Sequence, residues 1–165
     1  MVYSLRAELG LHTADVRSVI TLPENWLASG SRDHSVVIWK CISEATEDSE
    51  ATYSIEHTFR SHQHFVNCLL YLGNHLIVSG SADKTAIVWD YKAGTQVDVA
   101  ALHSAAICSL KTFSNRNNAL ACFVSCSWDS TARIWSVESS TSSSGLKVSC
   151  IGVCEAHEGP VWDCV

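Results

Sequence analysis

Proline is nearly absent. Only Pro23 and Pro160 interrupt 165 residues, which argues against a disordered or linker-rich chain. Charge is sparse as well: charged residues are 17% of the chain and leave a net −6, which argues against nucleic-acid binding through a basic face. No run approaches the roughly 20 apolar residues that a membrane helix needs, so no membrane partner is expected. The first residues include Arg6 and Glu8 and lack an apolar signal-peptide core, so a cytosolic or nuclear protein is the simplest reading. A glycine-rich phosphate loop and specially placed carboxylate pairs are missing too, and no cofactor is expected.

Apolar residues, by contrast, make up 47% of the chain, enough for a packed core, and the length fits about one domain. Cysteines are plentiful, at positions 41, 68, 108, 122, 126, 150, 154 and 164. Most stand in apolar runs, where Cys behaves as a small hydrophobe. Zinc would need Cys150, Cys154 and His157. In a strand Cys150 and Cys154 share a face but lie about 13 Å apart, too far for one ion, so no metal is expected.

The organising stretch is residues 79–90, S-G-S-A-D-K-T-A-I-V-W-D. It reads as two short strands around a tight turn, with Asp83 supplying the turn chemistry. His62 stands 21 residues before Asp83, and Trp89 six after it. The pattern recurs. His12, His62, His103 and His157 each precede a β-branched residue by four: Val16, Val66, Ile107 and Val161. Asp33 follows its His by 21 and Asp129 by 26, which places an insertion of about five residues at 115–119. Trp39 and Trp135 follow their Asp by six.

Each unit reads as four strands. The first gives 16–22, 26–31, 36–40 and 53–59; the second 66–72, 75–81, 86–90 and 96–102; the third 107–113, 121–127, 132–137 and 147–154. Between the third and fourth strands lie an acidic loop at 43–51 and a Ser-rich one at 139–145. Residues 156–165 begin a fourth unit with A-H-E-G-P-V-W-D-C-V, and residues 3–9 look like a lone outer strand.

The pieces S-G-S-R-D with V-I-W-K, S-G-S-A-D-K-T with V-W-D, and S-C-S-W-D-S-T with I-W-S resemble the WD-repeat family. That resemblance implies an all-β propeller of radial four-stranded blades, here incomplete: about three blades plus flanking strands. Blade 1 would cover about 12–60, blade 2 about 62–102 and blade 3 about 103–155. Residues 156–165 would start a fourth, and 1–9 would be the outer strand of the closing blade. Departures are visible. No unit keeps an intact Gly-His, and only the second ends in Trp-Asp. The order of variable residues, H-T-A-D-V-R, then S-H-Q-H-F-V-N-C, S-W-D-S-T-A-R-I-W and A-H-E-G-P-V-W-D, is similar to the first blades of the phospholipase A-2-activating protein family. This implies a ubiquitin-binding adaptor of an AAA unfoldase. The family's later ubiquitin-binding and unfoldase-binding domains have no counterpart in these residues, so an unfoldase would be reached only indirectly.

His, Ser and Asp together invite a hydrolase reading. A nucleophile is needed once, however, and this set appears three times beside a Trp. The alternative is a buried relay in each blade: His12, Ser29, Asp33 and Trp39; His62, Ser79, Asp83 and Trp89; His103, Ser125, Asp129 and Trp135. Ser31, Ser81 or Ser127 could replace the named serines.

By strand geometry, residues three and five after each His and the residue before each Asp line one rim. These are Asp15, Arg17 and Arg32; Phe65, Asn67 and Ala82; Ala106, Cys108 and Trp128; and Pro160 with Trp162. Trp128 and Trp162 read either as packing on neighbouring blades or as a platform for a protein partner. The two loop inserts should lie on the opposite face. The expected function is a non-catalytic interaction scaffold, with ubiquitin as partner. A scaffold of another pathway and a hydrolase are the alternatives. Three blades leave open edges, so the array is expected to be open and prone to associate through them.

Overall fold

In a computed structural model the chain is described over residues 7–46, 50–113, 120–139 and 145–164. The described residues form three four-stranded antiparallel sheets. Blade 1 contains β1 (Val16–Leu22), β2 (Trp26–Ser31), β3 (Val36–Ser43) and β4 (Thr52–Phe59), paired in that order. Blade 2 contains β5 (Val66–Gly73), β6 (Leu76–Ser81), β7 (Ala86–Asp90) and β8 (Thr95–Ala100). Blade 3 contains β9 (Ile107–Thr112), β10 (Ala121–Ser127), β11 (Ala132–Ser139) and β12 (Leu146–Cys154). The blades stand side by side, with β5 touching both β1 and β9. This is an all-β, open and incomplete propeller.

The strands follow the expected pattern, with displacements that have local causes. β3 and β11 run past positions 40 and 137 because each finds a long partner: Ser43 pairs with Thr52, and Ser139 with Leu146. β6 starts after His75 because Asn74 and His75 have φ of 49° and 63°, the backbone of a two-residue hairpin turn. Residues 7–9 carry no strand, and Leu9 lies beside Val16, Val19 and Trp39 instead. The rest of the expected 3–9 strand falls outside the described residues, as do the 115–119 insertion and parts of both loop inserts. The ends of the acidic insert leave blade 1 next to the β1–β2 hairpin, away from the Asp turn, where Asn25 donates to Glu44.

Alternation along the central strands supplies two cores. Ile77, Ile87 and Trp89 of blade 2 face blade 1 and meet Ala28, Val36, Ile38 and Phe59. Phe59 and Trp89 stack with ring centroids 4.5 Å apart. The opposite face of the same strands, Leu76, Val78 and Val88, meets Ile107, Leu110, Phe123 and Trp135 of blade 3. Both faces of the central strands are therefore buried, and the Ser residues among their apolar ones are buried with them.

The β-branched residue four after each His is the wedge between blades. A Cβ at Gly30 would lie 2.7 Å from Val66 Cγ1. A Cβ at Gly80 would lie 2.7 Å from Cys68 Sγ and 2.8 Å from Ile107 Cγ2. At the matching place in blade 3 stands Cys126, which packs against Val161. Val161 has no strand, but its N–H donates to Ser127 O at 3.0 Å and its side chain is buried. Val16 has no blade before it among the described residues and is 48% exposed.

Gly80→Ala should therefore push blade 3 away from blade 2 and cost about 1–3 kcal/mol. Chemical denaturation measures this; an unchanged midpoint would show that the contact is slack.

Candidate functional site

Two features concentrate polar chemistry: the relay inside each blade and the hollow that their loops surround. In blade 1 Ser29 pairs with Val37, so Trp39 lies diagonally across on the same face. The Trp39 indole donates to Ser29 Oγ at 2.8 Å. Ser29 Oγ lies 2.7 Å from His12 Nε2, and His12 Nδ1 lies 2.9 Å from Asp33 Oδ2. Blade 2 repeats this at 2.8, 2.7 and 2.8 Å through Trp89, Ser79, His62 and Asp83. Blade 3 gives 2.8, 2.7 and 2.7 Å through Trp135, Ser125, His103 and Asp129.

The indole can only donate, so each serine accepts from it and gives its own proton to Nε2. Nδ1 then carries the proton that the carboxylate receives. Burial acts to raise the three Asp pKa values, and hydrogen bonds overcome it. Ser35 and then His12 dominate at Asp33, His62 and then Thr85 at Asp83, and Thr131 and then the Ser104 N–H at Asp129. All three carboxyls stay well below the usual carboxylate range. Burial lowers the His103 pKa, which keeps that ring neutral.

Two sets of partners lie beyond the residues singled out in the sequence. Ser35, Thr85 and Thr131 donate to Oδ1 of their Asp at 2.5, 2.6 and 2.7 Å. The N–H groups of Thr13, Gln63 and Ser104 donate to Oδ2 at 3.0, 2.9 and 3.0 Å. The D-x-S/T spacing carries the first set; nothing in residue type marks the second. Ser31, Ser81 and Ser127 do separate work. Their hydroxyls donate to Ala14 O, His64 O and Ala105 O and accept the N–H of Asp33, Asp83 and Asp129. The turn after each Asp has a left-handed residue, His34, Lys84 or Ser130, at φ 70°, 76° and 68°.

A nucleophilic serine needs an open approach. Ser29, Ser79 and Ser125 are buried, and each Oγ is committed to an imidazole and an indole. Cys150 and Cys154 stand in β12 opposite Trp135 and Ala132.

The loops above the relays surround a hollow of about 410 Å³. Arg17 and Arg32 come from blade 1, and Phe65, Asn67 and Ala82 from blade 2. Ala106, Cys108 and Trp128 come from blade 3, and Trp162 from the segment after it. Asp15 and Pro160 do not line it; Asp15 pairs with Arg32 at 2.9 Å. His64 joins the lining, a place its position two after His62 did not predict. Trp128 and Trp162 are 49% and 65% exposed, with centroids 5.4 Å apart, so they pack edge-on against each other rather than into a blade core. The Arg32 guanidinium lies 5.4 Å from the centre of the Phe65 ring. Asn67 Nδ2 donates to Ile107 O at 2.9 Å and ties blade 2 to blade 3 below the hollow.

Residues 3–40, 53–90 and 94–136 match the WD domain, G-beta repeat family, and the chain belongs to it. It is 30% identical over 141 residues to the ubiquitin homeostasis protein lub1 of Schizosaccharomyces pombe, covering 82% of this chain and 18% of that protein. It is 37% identical over 94 residues to the small ribosomal subunit protein RACK1 of the same yeast, 54% of this chain and 28% of that one. A guanine nucleotide-binding protein subunit beta of Arabidopsis thaliana is 29% identical over 143 residues, 82% of this chain and 34% of its own length. The chain thus spans about a third or less of these relatives. The narrower likeness in the order of variable residues agrees with the first of them.

His62→Ala strands Ser79 and Asp83 without their shared partner and should cost about 1–3 kcal/mol. His12→Ala and His103→Ala should behave alike in denaturant titrations, and a variant with unchanged stability would mean its relay is idle. Acid should weaken the fold in two steps. His103 is neutral when folded but protonates when unfolded, so stability present above about pH 6.5 declines below it. The Asp contribution is intact above about pH 4 and is lost as pH falls further. Melting temperatures from pH 8 to 2 check both, and His103→Gln should remove only the first decline.

Proposed function

We propose that this chain is a non-catalytic interaction scaffold that binds ubiquitin through the hollow above its blades, within ubiquitin-dependent protein turnover. WD-repeat domains are protein-binding scaffolds, and this chain is one. The observation that carries the reading is the exposed Trp128–Trp162 pair at the hollow's rim. Large rings with solvent on one side and a fixed scaffold below are the residues that dominate binding energy at protein interfaces. Similarity to a ubiquitin homeostasis protein supports ubiquitin as the partner. An unfoldase would be engaged only through other segments. Similarity to RACK1 and to a G-protein β subunit favours the second reading, a scaffold of another pathway. We place the protein in the cytoplasm and also the nucleus. Cys122 and Cys126, packed as small apolar residues, support a reducing compartment.

Titration of the chain with monoubiquitin, followed by calorimetry, tests this. Trp128→Ala should weaken binding by about 2 kcal/mol or more with little change in melting temperature. Stability loss with unchanged affinity would show that Trp128 is packing, and no ubiquitin binding at all would leave the second reading.

A further inference from the structure

The residues around the hollow do more than offer apolar area. Its lining includes Arg17, Arg32 and His64 and no carboxylate, in a chain of net charge −6. The nearby Asp15 is taken by Arg32, and Arg17 makes no ion pair among the described residues. Beside the two guanidinium groups stand the Trp128–Trp162 pair and the Phe65 ring. Three aromatic rings close together could hold a cation such as a methylated lysine. Two guanidinium groups in the same hollow oppose that, and Arg32 already lies over the Phe65 ring.

We propose that the hollow recognises an acidic segment of a protein partner in which an apolar side chain adjoins an aspartate or glutamate. The inference rests on the hollow being the docking face proposed above, and adds the chemistry of what enters it. The apolar side chain lies against Trp128 and Trp162, and the carboxylate meets Arg17, whose five donors suit it. Asn67 commits its Nδ2 to Ile107 O, which leaves its carbonyl oxygen to accept a peptide N–H. His64 cannot compete for that role as an acceptor through Nδ1, which takes the Phe65 N–H at 2.8 Å. A nucleic acid strand offers stacking and charge as well, but a long polyanion meets the negative field of the whole chain. A short acidic segment meets only the local positive hollow.

The test is fluorescence anisotropy of the chain with labelled synthetic peptides that differ at one position each. A Leu-Asp peptide should bind about tenfold or more tightly than its Leu-Asn counterpart. Replacing Leu by Ala should weaken it, and added salt should reduce the Asp preference. Arg17→Gln should bring the Asp and Asn peptides to parity. Equal Asp and Asn affinities in the unmodified chain would overturn the proposal, without any protein variant. So would tighter binding of a trimethyl-lysine peptide, or displacement of the Leu-Asp peptide by a single-stranded oligonucleotide at equal concentration. Monoubiquitin in the same assay separates the two ideas. Peptide selectivity without ubiquitin binding keeps this chemistry and removes ubiquitin as the partner. Ubiquitin binding with no peptide selectivity keeps the partner and removes the chemistry.

Discussion

A carboxylate held under a loop loses water, and every lone pair it keeps must find a donor. Asp33, Asp83 and Asp129 meet that demand by gathering an imidazole, a hydroxyl and backbone N–H groups around one turn. The same imidazole reaches down to a serine and an indole at the centre of the blade. Loop position and blade core are thus coupled through one unbroken line of hydrogen bonds. The rim residues, Arg17, Arg32, Phe65 and Trp128, sit within a few residues of those anchored loops. A face that presents rings and charges at fixed spacing is held by buried groups behind it.

Between blades the constraint is space. Gly30 and Gly80 are there because Val66 and Ile107 occupy the volume a side chain would need. The wedge and the relay start from the same loop, four residues apart, so the His62 and His103 segments each latch their own blade and fill the seam with the preceding one. Phe59 on Trp89 closes the outer part of the first seam. The blade is a weak unit alone and a firm one between neighbours, as repeat architectures are.

Much of this was legible in the chain. The strands and the twelve relay residues follow from fixed spacings between residue types that have few other uses in combination. Ser29 rather than Ser31 follows from alternation, since Ser29 lies diagonal to Trp39 while Ser31 turns to Ala14 O. The lining of the hollow follows for the same reason, except at Asp15, Pro160 and His64. Asp15 is drawn out of the hollow by Arg32, and His64 is drawn in, stacking against His34 from the neighbouring blade at 5.9 Å. Both are contacts between side chains on separate loops, which no local period encodes. The backbone donors on the carboxylates are invisible for a simpler reason: every residue except proline has an N–H.

Cys126 gives blade 3 something its neighbours lack. Where they have a glycine, it places a thiol under Val161, fully buried, and burial pushes that thiol far above its ordinary range. An alkylating reagent therefore reaches it only when the segment bearing Val161 and Trp162 has lifted away. The rate of that labelling is an internal clock for the opening of the seam, written into the sequence by one substitution in a repeated motif.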